Sequence, residues 1–137
     1  MIPSITNGNS YSDFRGKLYH NNSFDLTNIK RIYVIENASN FIRRWQGHKT
    51  EQRWFYAIKG RFEIKLIKID NWDKPSKHLK KIIFNIADQA LDVLHIPAGY
   101  ITSIESLTKE GKLLVMSDYK LGVISDDYKF PADTFKE

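Results

Sequence analysis

Cysteine is absent from the 137 residues, which excludes disulfide bonds, thiolate metal sites and a cysteine nucleophile. A long apolar run is also missing, since no stretch approaches the roughly 18 apolar residues of a membrane span. The first residues, MIPSITNGNSYSDF, lack the basic start and apolar core of a signal peptide. These absences predict a soluble, cytoplasmic protein that has no membrane partner.

A helical pattern is missing as well, because no long segment keeps an apolar period of about 3.6 residues. From Lys30 onward the chain consists of short strand-like segments separated by turn residues. Hydrophobic residues make up 42% of the sequence, enough for one sizeable core. We therefore predict one all-β domain over residues 1–137, with a core at about 13–131.

The clearest local unit is a hairpin in which Arg53–Ile58 and Arg61–Leu66 flank a Lys59-Gly60 turn. Its second arm alternates polar and apolar residues, which predicts one buried face of the strand. The residues after Asp127 are expected to form turns or a short terminal helix. Further predicted strands are Lys30–Glu36, His78–Ile86, Leu91–Ile96, Ile101–Leu107 and Lys112–Tyr119.

The net charge of +5 at pH 7 suits either nucleic acid or a small molecule that carries a diphosphate. The strongest basic run, from Lys74 to Lys81, is interpreted as a solvated connection that guards a strand edge. The basic residues are not interleaved with a known nucleic-acid-binding motif, so we predict no nucleic-acid partner.

Two segments resemble the cupin pattern of His-x-His, a glutamate, a glycine and a later Pro-x-Gly-x-x-His. Similarity to the cupins implies a double-stranded β-helix, the jelly-roll barrel. Its four metal-ligand positions carry Gln46, His48, Arg53 and Thr102 here. A metal cupin uses three histidines and a carboxylate, whereas the guanidinium of Arg53 would repel a divalent cation. We therefore predict neither a metal nor a cofactor.

A second resemblance covers most of the chain, roughly from Asp13 to Pro131. The sequence is similar to the nucleotide-sugar 3,4-ketoisomerases and to their relatives, the dTDP-4-dehydrorhamnose 3,5-epimerases. The latter have a lysine where this chain has Arg53. The matching segments are Asp13–Leu18, Phe24–Leu26, Lys30–Asn37, Arg43–Lys49, Ser117–Tyr119 and Asp126–Pro131.

This resemblance implies a homodimeric enzyme that acts on a dTDP-linked 4-keto-6-deoxyhexose in deoxysugar or surface polysaccharide biosynthesis. The 4-keto group acidifies neighbouring ring protons, so a base, a proton donor and cations suffice without a metal. His48 and Tyr119 would be the catalytic pair. Residues that would bind the nucleotide sugar are Arg43, Arg44, Gln46, Lys49, Glu51, Arg53, His95 and Thr102.

One departure from the enzyme pattern leaves a second interpretation open. The base of these enzymes is the first histidine of their motif, and Gln46 cannot accept a proton at neutral pH. The chain could then be a non-catalytic protein that binds a sugar nucleotide or assists a partner enzyme. For Tyr119 and His95 the alternatives are core packing and a structural role at a strand end.

Overall fold

Short segments of alternating polar and apolar residues, separated by frequent turns, form an all-β structure. The computed structural model describes residues 1–136 and contains twelve strands in that range, so Glu137, the last residue of the predicted domain, lies outside the described residues. The same range contains no helix long and apolar enough to cross a membrane. The strands are β1 (Ser4–Thr6), β2 (Asn9–Asp13), β3 (Gly16–His20), β4 (Arg31–Glu36), β5 (Arg43–His48), β6 (Arg53–Lys59), β7 (Arg61–Lys68), β8 (Lys81–Ala87), β9 (Val93–Ile96), β10 (Tyr100–Ser106), β11 (Lys112–Ser117) and β12 (Tyr128–Lys129).

Ten of these strands form two five-stranded sheets. The first sheet has the order β1-β9-β6-β11-β4, and the second has the order β12-β5-β10-β7-β8. Strands β2 and β3 form a separate hairpin, and all observed pairings are antiparallel. The two sheets pack face to face, which is the architecture expected for a jelly roll.

The main core fills the space between the sheets. Phe62, Ile64 and Leu66 are fully buried on one face of β7, as the alternation predicts. They pack with apolar residues of the opposite sheet, including Leu113 and Val115 of β11. The β6–β7 turn occurs at Gly60, whose φ of 84° is the left-handed conformation that glycine adopts without strain.

A second cluster lies on the other side of the second sheet, under the C-terminal segment. Trp45 and Ile101 pack there with Phe135, and Phe130 joins them at the edge. Of the two alternatives predicted after Asp127, the structure has the turns, together with the short strand β12, because this segment pairs with β5 and covers its apolar outer face.

Several strand boundaries differ from those predicted. Strand β8 begins at Lys81, three residues after the predicted start, because the lysine-rich segment before it forms a loop. Strand β8 is an edge strand, so this loop does precede an open sheet edge. Strands β1, β2, β3 and β5 were not predicted, because their polar residues hide the alternation.

Candidate functional site

A cavity of about 230 Å³ lies between the two sheets at one end of the sandwich. Its walls come from strands of both sheets and from the turn before β10. Both charged and apolar side chains face it. The lining residues are Arg31, Tyr33, Ile35, Arg43, Gln46, Gly47, His48, Glu51, Arg53, Phe55, Ile96, Pro97, Tyr100, Thr102, Ile104 and Val115.

A bulge in β5 decides which of its side chains line this cavity. Thr102 of β10 pairs with Gln46, and the next residue, Ser103, pairs with Arg44, so Trp45 is left over. The extra residue resets the alternation, since a bulge places two residues opposite one. Arg43 therefore lines the cavity with Gln46, although strict alternation from Gln46 would point Arg44 inward.

His48 supplies an imidazole to the cavity, and one of its ring nitrogens is already hydrogen-bonded within the protein. Nδ1 lies 2.8 Å from the main-chain carbonyl oxygen of Asp126. A carbonyl can only accept, so Nδ1 donates and carries the proton in the neutral ring. Burial lowers the pKa of His48 and the positive charge of Arg53 lowers it further, so the ring is neutral at neutral pH. The second nitrogen, Nε2, then keeps a lone pair that can accept a proton.

Arg53 is the centre of a buried polar network beside His48. Its Nη2 forms an ion pair with Glu51, and its Nη1 donates to the hydroxyl of Tyr33. Both Arg53 and Glu51 are buried, and a buried ion pair persists only when its members are well partnered. The Nε of Arg53 is buried and makes no hydrogen bond with residues 1–136, so it is an unsatisfied donor within this network.

The charge of the cavity is positive overall. Glu51 neutralises Arg53, which leaves the guanidinium groups of Arg31 and Arg43 without an ion pair among the described residues. Arg31 lies over the ring of Tyr33, 4.7 Å from its centroid. A groove of about 510 Å³ shares Arg43 and Gln46 with the cavity. Its other lining residues are Phe41, Arg44, Trp45, Lys129, Phe130 and Pro131.

The loop after β5 is held by the chain's C-terminal segment. The carboxylate of Asp126 accepts the main-chain N–H groups of Lys49, Thr50 and Glu51 at 3.0, 2.8 and 2.7 Å. The neighbouring Asp127 accepts a hydrogen bond from the side chain of Gln46 at 2.7 Å. Thr102 donates to the main-chain carbonyl of Gln46 at 3.3 Å.

The predicted site residues divide into three groups. His48, Arg43, Gln46, Glu51, Arg53 and Thr102 meet at the cavity, whereas Arg44 lines only the outer groove. The other three predicted residues, Lys49, His95 and Tyr119, are not among the residues that line the cavity or the groove.

His95 lies on the outer face of the first sheet, because it is opposite Trp54 in the pairing of β9 with β6. Its ring stacks on Trp54 at 5.1 Å, and Nε2 contacts the side-chain oxygen of Gln52 at 2.6 Å. Tyr119 follows the end of β11, where its main-chain N–H donates to the hydroxyl of Ser117.

Three further site residues were missed by the sequence reasoning, namely Arg31, Tyr33 and Asp126. Strand β4 alternates, so Arg31, Tyr33 and Ile35 point inward. The signal was weak because Ile32 and Val34, which point outward, are more apolar than Arg31 and Tyr33, which point inward. Nothing local in the sequence links Asp126 to a loop more than 70 residues earlier.

A metal does not fit the four positions where cupins bind one. Only His48 is a ligand type that commonly binds a divalent transition metal, and the cation Arg53 is already paired with Glu51 at the position of the cupin glutamate. Among residues 1–136, no group of three or more His, Cys, Asp or Glu side chains is placed to hold a metal ion.

In the comparisons with known proteins, this chain matches solved structures. No protein-family model matches the sequence. No curated protein sequence gives a significant match. The 3,4-ketoisomerase from Helicobacter canadensis is 26% identical, with a TM-score of 0.66, and the match covers 90% of this chain and 87% of that one.

Two other solved structures match with lower identity. A histidine-to-asparagine mutant of the 3,4-ketoisomerase from Thermoanaerobacterium thermosaccharolyticum, in complex with TDP-4-keto-6-deoxyglucose, is 21% identical with a TM-score of 0.68, over 91% of this chain and 85% of that one. A 3'-monoepimerase from Streptomyces bikiniensis, in complex with dTDP-quinovose, is 12% identical with a TM-score of 0.75, over 95% of this chain and 70% of that one. These matches confirm the predicted all-β jelly-roll fold, and the neighbours are ketoisomerases and an epimerase, the kinds of enzyme that the sequence resembles.

Proposed function

We propose that the protein is a nucleotide-sugar isomerase or epimerase that removes a proton next to the ketone of a dTDP-linked 4-keto-6-deoxyhexose without a metal. The observation that carries this proposal is the pairing of a neutral histidine with a buried arginine on one small cavity. His48 supplies a nitrogen that can accept a proton, and Arg53 supplies a positive charge on the cavity wall. The structural neighbours supply the substrate class, since their own complexes contain TDP-4-keto-6-deoxyglucose and dTDP-quinovose.

The reaction needs three groups, and the cavity contains a residue suited to each. The lone pair of His48 Nε2 takes the ring proton next to the ketone, which leaves an enolate. The guanidinium of Arg53, which lines the cavity, stabilises the enolate oxygen, where negative charge develops. Return of a proton to the former ketone carbon, with the proton of the adjacent hydroxyl passing to the enolate oxygen, moves the ketone. Return of a proton to the opposite face of the carbon that lost it inverts the configuration of that carbon.

The proton donor is assigned to a tyrosine. Tyr33 lines the cavity, and Arg53 donates to its oxygen, so its own hydroxyl proton is free for a substrate. Tyr119 was predicted for this role from the resemblance, and that role stays a prediction. The two tyrosines are far apart in sequence and can be compared by substitution.

The size of the cavity indicates which part of the substrate it can hold. At about 230 Å³ it is smaller than the roughly 300–1,000 Å³ of a site for a drug-sized ligand, so we place only the sugar ring inside it. The outer groove shares Arg43 with the cavity and adds Arg44 and Lys129, three cations suited to a diphosphate.

We also propose a homodimer in the cytoplasm. Strand β4 is an edge strand whose outward side chains, Ile32 and Val34, are 64% and 48% exposed. An apolar open edge favours pairing with a second copy of the chain. Light scattering coupled to gel filtration tests this proposal, and a monomeric mass at micromolar concentration would refute it.

The test of the activity is proton exchange in heavy water. The protein is incubated with dTDP-4-keto-6-deoxyglucose, and exchange of the C3 and C5 protons is followed by NMR. We expect exchange well above the buffer rate, because His48 is neutral at neutral pH. Exchange at the buffer rate would refute the catalytic proposal for this substrate, and stoichiometric metal after tag-free purification would refute its metal-free form.

The same experiment separates the enzyme from the non-catalytic binding protein. Gln46, which cannot accept a proton, was the reason for the binding interpretation. Its side chain donates a hydrogen bond to Asp127, and the nitrogen that can accept a proton belongs to His48. Thermal stabilisation by dTDP without proton exchange would favour binding alone. The enzymatic character of the structural neighbours does not favour that alternative.

A further inference from the structure

Asp126 contacts two separate parts of the active-site strand and its following loop. Its carboxylate accepts three consecutive main-chain N–H groups, those of residues 49–51, at 2.7 to 3.0 Å. Its main-chain carbonyl accepts the Nδ1–H of His48 at 2.8 Å. The residue is only 8% exposed, so water competes little for these bonds. Hydrogen bonds to an ionised carboxylate are stronger than those between neutral groups.

The two sets of bonds hold the same two segments of the chain together. Because the carboxylate holds the loop that begins directly after His48, the main-chain carbonyl of Asp126 is kept beside the imidazole. Strand β12 begins two residues later and pairs with Gly47 and Gln46, which holds the segment from its other side. Among residues 1–136, the one acidic side chain that forms a pair with His48 Nδ1 within 4.0 Å is Glu51, whose carboxylate is 3.9 Å away and is also paired with Arg53. That distance is too long for a hydrogen bond.

We infer that Asp126 is the positioning residue of the site: it fixes the loop after β5 and holds His48 with its proton on Nδ1, so that Nε2 faces the substrate as a base. The catalytic consequence rests on the proposed function, whereas the tautomer is a property of the protein alone. Outer residues that orient a histidine typically change its function by roughly ten- to a hundredfold when they are lost.

The test measures the tautomer of His48 directly. Two-bond correlation NMR on protein labelled with ¹⁵N-histidine reports which ring nitrogen carries the proton. The chain has four histidines, and the His48→Asn spectrum identifies the signal of His48 by its loss. We expect the neutral ring to be protonated at Nδ1. A proton on Nε2 in the wild-type protein would overturn the inference without any variant.

The variant is Asp126→Asn, which keeps the size of the side chain but removes its charge. We expect His48 to become a mixture of tautomers and kcat for exchange to fall roughly ten- to a hundredfold, while KM changes by less than about twofold. Asp133→Asn is the matched control, because Asp133 is exposed and outside the site. Wild-type tautomer and wild-type kcat in Asp126→Asn would overturn the inference.

Failure of this inference is distinguishable from failure of the proposed function. If the wild-type protein shows no exchange but its Nδ1 tautomer is lost in Asp126→Asn, the positioning role stands and the proposed reaction does not. If Asp126→Asn does not fold, Asp126→Glu retains the charge and displaces the carbonyl. That variant should show a partial loss of the Nδ1 tautomer, and an unchanged tautomer population would count against the inference.

Discussion

The interior between the two sheets has a polar end and an apolar end that are built from the same strands. Strand β6 begins with the buried Arg53 and reaches the buried Ala57 four residues later. Strand β11 follows the same course in the opposite direction, since Leu113 pairs with Ala57 and Ser117 pairs with Arg53. At the apolar end the side chains fill the space, whereas the polar end contains the cavity.

The two ends differ in how much they stabilise the fold. Burial of apolar side chains stabilises the fold by about 1.5–3 kcal/mol for each large side chain. A buried ion pair such as Arg53 with Glu51 contributes far less, because desolvation of the two charges offsets their attraction. The polar end therefore carries residues whose presence is explained by a ligand better than by folding.

The largest expected effect is at His48, which tests whether the polar end does the chemistry. His48→Asn should lower the exchange rate about 10³- to 10⁴-fold, because asparagine cannot accept the ring proton. Its free energy of unfolding should change little by comparison. The measurement is the NMR exchange rate, with His78→Asn on the exposed loop as the control. An unchanged rate in His48→Asn would show that the base lies elsewhere.

The second effect tests whether the apolar end provides the stability. Leu113→Ala should lower the free energy of unfolding by about 2–5 kcal/mol, because it leaves a cavity among fully buried neighbours. Exchange measured well below the unfolding temperature should stay within about threefold of wild type. The control is Leu121→Ala, at a leucine that is 78% exposed. Urea denaturation of both variants gives the comparison, and equal stabilities would contradict this division of the interior.

The sequence predicted the apolar end better than the polar end. Alternation identified Phe62, Ile64 and Leu66 as one buried face, and Lys59-Gly60 as the turn. Such predictions succeed because burial and strand period are local properties of the chain. The all-β class followed from short strand-like segments separated by turns, and the jelly-roll barrel followed from the resemblance to the cupins.

The polar end depends on contacts that local patterns do not contain. Because of the bulge at Trp45, Arg43 rather than Arg44 faces the cavity, and no residue near Trp45 predicts a bulge. The bonds from Asp126 to the loop after His48 join residues more than 70 positions apart. Tyr119 was predicted from the family resemblance and His95 from its place before the Pro97 turn, and neither is among the residues that line the cavity.

The third effect compares the two tyrosines as proton donors. Tyr33→Phe should lower the exchange or product-formation rate by roughly a hundredfold, because the phenol proton is lost while the ring is kept. Tyr119→Phe is the matched variant, and we expect it to change the rate by less than about threefold. Product formation by NMR measures both. A large loss in Tyr119→Phe with none in Tyr33→Phe would return the role to Tyr119.

The smallest effect concerns the charge balance around His48. The pKa of His48 is lowered by burial and by Arg53, so the acid limb of kcat/KM should lie below pH 6.5, the ordinary value for histidine. The negative charge of Glu51 partly opposes this lowering. Glu51→Gln should therefore move the acid limb to still lower pH, with only a modest change in the plateau rate.

The control for this shift is Glu110→Gln, which removes a carboxylate from an exposed ion pair with Lys59. Stability should follow the same titration, because the unfolded chain binds a proton at His48 below about pH 6.5 while the folded protein does not. Stability is then lost as the pH falls from that value towards the folded pKa. An acid limb that moves upward in Glu51→Gln would contradict the effect of the Glu51 charge on the pKa of His48, and with it the electrostatic coupling that we assign to the polar end.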